Sequence, residues 1–369
     1  MGIQPKRPPK ADCHRTVAEM GVAELEMLRL LLRGGSIVDW RRLNFRTREE
    51  VSRFLALNLF DLDDPRDERR IRSILAQAVD YLRSEFGYKV AAPVAEPKDV
   101  RDVLLLASDA SEPRRYRRIA CVVLKVMHVI HHLEARELLF RTAIREADLA
   151  ERAHRRIILE ADRMREHGLP IAEFRGNVKP RSSLVTKLLA KKESVAAQVF
   201  DRVRYRIVTE GPEELPSVVL HLVEHLFPFT YAVHGQTQNS LLRFADVLAS
   251  HPAAAELRPH LQLPAHLEST ARRNEFSGKG FRTLNFVVDL PVRVDDLLPP
   301  HDPMADELGR VVFALVEFQV VDRATATANE QGDSSHERYK KRQLQRVLRR
   351  LSRGLVVPKR KPPKRRGTP

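Results

Sequence analysis

Residues 310–321 read RVVFALVEFQVV. The run is apolar almost without a break. A strand covered on both faces has that texture, whereas a half-exposed strand alternates. Two polar residues interrupt it, Glu317 and Gln319. Strand alternation puts both on one face. A carboxylate in such a run is costly unless a cation accompanies it. A companion is available in VFDRVRYRIV at 199–208, which carries one carboxylate, Asp201, and three arginines, Arg202, Arg204 and Arg206. Two readings stay open at this level. In one, Glu317 forms a salt bridge to Arg204 or Arg206 on a neighbouring strand. In the other, Glu317 and Asp201 hold Mg2+, and the arginines face nucleotide phosphates or balance the acidic pair. Strict alternation sets Asp201 opposite the arginines, so the second reading needs a twist or bulge at the strand start.

Around these two stretches the chain keeps the same texture from about residue 171 onward. Short β-branched runs alternate with helices: FDRVRYRIV, PSVVLHLVEHLF, TLNFVVDLPV and RVVFALVEFQVV. The pattern implies an α+β or α/β domain around a mixed sheet, about 171–330. Between Pro228 and Gly278 a polar and helical stretch reads as an insertion, about 229–277. A basic helix is expected at about 334–353, followed by a disordered basic tail, 354–369.

Upstream, residues 18–167 read as helical throughout. VAELEMLRLLLRGG spaces Leu25, Leu28, Leu31 and Leu32 on a helix that ends at Gly34-Gly35. Thr47 with Glu50 three residues on has the form of a capping box. Further helices are expected at 66–86, 98–107, 114–145 and 147–167, punctuated by Pro93, Pro97 and Pro113. Residues 1–17, rich in Pro and Lys, are expected to be disordered. The fold class is therefore α+β: an all-helical N-terminal domain, then a mixed sheet flanked by helices.

Of the 369 residues 43% are hydrophobic, enough for a buried core, and 31% are charged. Two cysteines far apart, Cys13 and Cys121, leave no disulfide framework and no dense Cys/His zinc site. No signal-peptide pattern and no run of ~18 apolar residues occurs, so a soluble, cytoplasmic protein with no membrane partner is expected. The net charge of +15 is unevenly placed. Residues 337–369 hold 14 Lys and Arg against one acid, Glu337, so that this end carries +13 and the rest +2. Such an end is either a solubilising tail or a contact for tRNA or ribosome through counterion release.

Other motifs are weak. His128, His131 and His132 share a helical stretch, but HExxH is absent and no telling acid accompanies them, so a structural or surface role is expected. His301-Asp302 lies in a Pro-rich loop without a matching upstream His and reads as chance. Neither GxxxxGK[ST] nor GxGxxG occurs. FSGKGFR (276–282) is a basic glycine turn before a strand, in which Lys279 and Arg282 could pair with phosphate.

Taken in order, KPRSSLVTKLLAKKE, VFDRVRYRIV, GKGFRTLNFVV, VEFQVVD and SSHERYKK resemble the synthetase domain of the RelA/SpoT family over about residues 171–345. That family has a nucleotidyltransferase-like fold and makes (p)ppGpp by moving pyrophosphate from ATP to the ribose 3′-hydroxyl of GDP or GTP. The resemblance implies ATP and GDP/GTP as partners and Mg2+ as cofactor. Lys179, Ser183 and Lys187 match the ATP-phosphate pattern, with Asn177 where Arg is expected. Asp201 and Arg206 match the family's Asp and Arg five residues apart, the Asp being a metal ligand and Arg206 a phosphate ligand. Gly280, Phe281, Thr283 and Asn285 stand on G-Y-x-S-x-H, and Phe281 could stack on the acceptor base. Glu317 and Gln319 match E-x-Q, Glu317 being the second metal carboxylate and the general-base candidate. Val320, Val321 and Asp322 replace the usual I-R-T, while His336, Tyr339 and Lys340 match H-x-x-Y-K on the acceptor side. The expected catalytic pair is Glu317 and Asp201. The expected activity is that of an ATP:nucleotide 3′-pyrophosphokinase. Two alternatives remain: the same transfer to the 3′ end of tRNA, or a catalytically inactive nucleotide- or RNA-binding regulator. No hydrolase signature of the long family members is present upstream.

Overall fold

The computed structural model describes residues 15–34, 45–109, 111, 113–178, 181–190, 203–261, 280–299, 302–331 and 336–351. Helices α1 (Val22–Leu32), α2 (Arg48–Leu57), α3 (Pro65–Phe86), α4 (Ala92–Ala95), α5 (Arg101–Ser108), α6 (Arg114–Arg141) and α7 (Glu146–Glu166) precede strand β1 (Ile171–Val178). There follow α8 (Arg181–Ala190), β2 (Val203–Thr209), α9 (Leu215–His225), β3 (Gln238–Asn239), α10 (Phe244–Ala249) and α11 (Ala254–Leu257). The chain then forms β4 (Leu284–Arg293), α12 (Pro303–Leu308), β5 (Val311–Asp322), α13 (Arg323–Glu330) and α14 (His336–Leu351). No helix among the described residues is long and apolar enough to cross a membrane.

Local chemistry accounts for several helix ends. The Thr47 side chain accepts from the backbone N–H of Glu50, as the capping pattern requires. The reciprocal bond is shifted by one residue: Glu50 accepts from the backbone N–H of Arg46. Asp64 caps α3 ahead of Pro65, and Gly87, with φ of 63°, closes it. Asp302, from the His-Asp pair set aside above, accepts from the backbone N–H of Met304 and caps α12. PSVVLHLVEHLF, grouped with the β-branched runs by composition, folds as α9. Pro216 sits in its first turn, and its apolar residues are buried on nearly every side.

The sheet has the order β1-β2-β5-β4-β3, with β5 at its centre. β5 runs parallel to β2 and antiparallel to β4. One face carries Val203, Tyr205 and Ile207 of β2, Leu284, Phe286 and Val288 of β4, and Val316, Phe318 and Val320 of β5, all buried. These pack with Leu25, Leu28 and Leu32 of α1, Leu149, Ile157 and Met164 of α7, and the apolar side of α9. Phe286, Phe318, Tyr205 and Phe227 form stacked or tilted ring pairs through this core. A second core joins α2, α3, α5 and the first half of α6. The boundary expected at 167–171 thus falls inside the first core, to which α1 and α7 contribute as fully as the strands. The stretch set aside as an insertion contributes as well, through Leu242, Phe244, Val247 and Leu248.

Strand β1, which no apolar run marks out, pairs with β2 as an edge strand. It carries charge on its edge, as such strands commonly do. Gly176 lies opposite Tyr205, and a Cβ there would come 2.7 Å from the ring. The Tyr205 hydroxyl shares a hydrogen bond of 2.7 Å with His154 Nδ1, so the ring cannot simply yield. Gly176→Ala is expected to destabilise the protein by ~1–3 kcal/mol, the usual cost of overpacking. Urea denaturation midpoints measure it, and an unchanged midpoint would mean that the edge strand shifts freely.

Candidate functional site

Among the described residues the opposite face of the sheet is covered at its two ends. At one end α6 lays His131 and His132 against Phe313 of β5. At the other, Ala326 of α13 packs on Val321 and Val208. Between these covers the face turns polar. Alternation places Arg204 and Arg206 of β2, Thr283 and Asn285 around the start of β4, and Glu317 and Gln319 of β5 on this side.

Register makes the cluster specific. The parallel β2–β5 ladder sets Arg204 opposite Glu317 and Arg206 opposite Gln319, and the β4–β5 ladder sets Asn285 opposite Gln319. Arg204 Nη2 donates to Glu317 Oε1 at 2.9 Å. Asn285 Nδ2 donates to the same oxygen from the other flank. Glu317 is 5% exposed. Gln319 Nε2 donates to Thr283 Oγ1 at 3.3 Å. Arg206 Nη1 reaches Glu330 of α13 at 3.3 Å. The salt bridge from Glu317 to a neighbouring strand, one of the two readings open from the sequence, is thus present and is made by Arg204.

Two residues that no motif marked hold the rim. Asn329 of α13 accepts from the Arg282 backbone N–H at 3.0 Å and donates to the Arg282 carbonyl at 2.7 Å. Ser240 Oγ accepts from the Thr283 backbone N–H at 3.0 Å. Together they fix the approach to β4. Nothing in the local pattern of either residue signals this, because both partners lie more than 40 positions away.

The remaining expected site residues are distributed as follows. Asp201 and Lys179 lie outside the described residues, as do the side chains of Lys187 and His336. Ser183 is half-buried on α8. Phe281 is half-buried just ahead of β4, and Lys340 is exposed on α14. Tyr339 accepts from Gln343 at 2.9 Å and packs against Ala190 and Val347, where α14 meets α8. The structure therefore brings together Glu317, Gln319, Thr283, Asn285 and Arg206, and adds Arg204.

The donor chemistry suits a hard cation beside a phosphate. Asn285 Oδ1 is buried and has no hydrogen-bond partner among the described residues. It belongs to the amide whose nitrogen touches Glu317, so a carboxylate and an orphaned amide oxygen stand side by side. Mg2+ takes oxygen ligands of this kind, commonly one or two carboxylates with substrate phosphates completing the shell.

Beyond Leu315 the same face becomes a buried aromatic cluster. His132 stacks on Phe313 with centroids 4.0 Å apart, and His128 and His132 both pack against Tyr231. Burial pushes the three histidines down, His131 to about 3, His132 to about 4 and His128 well below its ordinary value. Burial also pushes Asp289 up to about 6. His132 and Asp289 lie 3.7 Å apart. Burial disfavours the charged form of both groups. The cluster is a structural seam between α6 and the sheet.

A cleft of about 1480 Å3 opens at the other end of β4 and β5, by Arg293 and Val311. Val311 is six residues from Glu317 along the strand, roughly 20 Å. Four of its arginines are paired: Arg293 with Asp67, Arg310 with Asp306, Arg152 with Asp296, Arg70 with Glu134. That leaves a salt-bridged junction of helices and sheet, remote from the polar window.

No family model matches the chain, and no curated protein does. Solved structures similar to it include small alarmone synthetase 1 from Bacillus subtilis, at 15% identity and a TM-score of 0.29, over 66% of this chain and 94% of that one. Small alarmone synthetase 2 from Bacillus subtilis is similar at 15% identity and a TM-score of 0.29, over 59% of this chain and 95% of that one. A GTP pyrophosphokinase family protein from Streptococcus pneumoniae is similar at 17% identity and a TM-score of 0.27, over 54% and 83%. Scores this low leave the functional assignment to the residues of the polar window.

Proposed function

We propose that the polar window binds ATP and a guanine nucleotide, and that pyrophosphate passes from ATP to the acceptor's ribose 3′-hydroxyl. The observation that carries this reading is the buried carboxylate of Glu317 on the central strand, with Gln319 beside it and the arginines of β2 on its flank. A core strand tolerates such a group poorly, so its presence among phosphate-binding side chains points to charge chemistry. Lys179, Lys187 and Arg206 bind the ATP phosphates. Thr283, Asn285 and Gln319 orient the acceptor, with Phe281 against its base. Glu317, together with Asp201, would hold Mg2+, which when bound would neutralise phosphate charge. Glu317 also accepts the proton of the 3′-hydroxyl. The hydroxyl oxygen bonds to the β-phosphorus, the bond to the α,β-bridging oxygen breaks, and AMP leaves. Positioning and charge stabilisation supply most of the acceleration in such transfers.

The ion pair between Arg204 and Glu317 favours one second reading, a regulator that binds nucleotide without turnover. Both are tested with purified protein, Mg2+ and ATP labelled at the γ-phosphate, with GDP, GTP and bulk tRNA offered separately. Label on GDP or GTP supports the proposal. Label on tRNA keeps the chemistry and changes the acceptor, and the +13 end would then serve that polyanion. ATP binding with no transfer to any acceptor leaves the regulator.

A further inference from the structure

Arg204 stands where a metal ion would have to compete. Its guanidinium meets the same Oε1 of Glu317 that Asn285 meets from the opposite strand. The ladder holds it there, since Arg204 and Glu317 are direct cross-strand partners in parallel β2 and β5. The two ends of the pair differ in burial: the Arg204 side chain is 31% exposed, the Glu317 side chain 6%. The carboxylate is therefore fixed in the sheet, while the Arg204 side chain is partly open to solvent. A buried carboxylate keeps a counter-charge, and among the described residues Arg204 supplies one. A divalent cation at the same carboxylate would meet a positive guanidinium at hydrogen-bond distance, and like charges so close repel.

We infer that Arg204 is the resident counter-ion of Glu317 and competes with a divalent cation for it. Occupancy by the cation requires Arg204 to release Oε1 and turn outward, to the side from which a phosphate would approach. Arg204 is thus a positioning residue that keeps the carboxylate neutralised until substrate and metal arrive together. The inference rests on the reading of Glu317 as a metal carboxylate.

The test uses Mn2+ alone, titrated at pH 8 without nucleotide, with free Mn2+ read by electron paramagnetic resonance. The full chain is compared with Arg204→Met, Glu317→Gln and the double variant. Removing the competing charge is expected to tighten Mn2+ binding by about tenfold. Glu317→Gln is expected to abolish that site in both arginine backgrounds. Should Arg204→Met fail to fold, Arg204→Gln keeps a donor for Oε1 without the charge and is expected to tighten binding in the same way. Unchanged or weaker binding in the arginine variants, with Glu317→Gln still abolishing the site, overturns the role of Arg204 and leaves the metal carboxylate standing. Mn2+ binding that Glu317→Gln does not alter overturns the metal reading, and the inference with it. Both outcomes are read from metal binding, independently of turnover.

Discussion

Glu317→Gln is expected to lower pyrophosphoryl transfer by ~10^3-fold or more while the protein stays folded, by analogy with the loss of a single charge-stabilising group in other active sites. The substitution keeps the shape and the hydrogen-bonding oxygen that Arg204 and Asn285 meet. It removes the negative charge that attracts a cation and the basic site that takes the hydroxyl proton. The lost charge leaves Arg204 without that partner, but its side chain is 31% exposed, so water can reach it. The stability cost is accordingly modest, ~1–3 kcal/mol. Initial rates of label transfer, read beside a thermal melt, separate the two effects. A rate within tenfold of wild type in a folded variant would remove Glu317 from the chemistry.

The second large effect is a loss of stability in mild acid, through the histidine seam between α6 and the sheet. His128, His131 and His132 have folded pKa values pushed below the ordinary 6.5 by burial. Below pH 6.5 the unfolded chain takes up protons at these positions and the folded chain does not, so stability falls with pH until about 3–4. Asp289 acts in the other direction. Its folded pKa is raised to about 6 from 3.8, so between those values the folded state holds the extra proton and gains. Three histidines against one aspartate leave the unfolded chain binding about two protons more than the folded one, so stability falls as the pH drops from about 6 toward 4. Urea unfolding at pH 7, 6, 5 and 4 measures the slope. A sharper version uses His131→Leu. Neither ring nitrogen of His131 has a hydrogen-bond partner among the described residues, and the ring sits between Phe60 and Phe313. The leucine variant is expected to be more stable at pH 7 by ~1–2 kcal/mol and to lose about half of the slope. A slope unchanged by the substitution would show that the acid sensitivity arises elsewhere.

Both predictions depend on features of unequal visibility. Glu317 could be singled out from 310–321 because a carboxylate in a two-sided apolar strand breaks the rule that the rest of the strand obeys. The histidines were visible only as a group on one helical stretch. Their burial follows from Phe313 and Tyr231, residues on distant segments that the helix period does not reveal. Most helices were legible to within a few residues, because caps, prolines and apolar spacing act locally. The helix expected at 98–107 begins instead at Arg101, where Asp99 accepts from its backbone N–H. α9 was the hardest case: its composition is that of a buried strand, and a helix buried nearly all round has the same texture. β1 escaped notice for the opposite reason, since an edge strand with polar residues has no period to read.

What the sequence alone determined is local: a strand within the apolar run 310–321, a polar pair on one of its faces, arginines on a second strand, and helices before them. Those follow from periodicity and burial cost, which depend on near neighbours along the chain. Only the tertiary structure decided that Arg204, and not Arg206, faces Glu317, because one step of register in a parallel ladder changes every cross-strand partner. It alone brought Asn285 from β4 to the same oxygen. It also joined α1 and α7 to the core of the sheet. Each of these is a long-range pairing, selected by how the apolar faces close on one another, and no short stretch of chain contains that information.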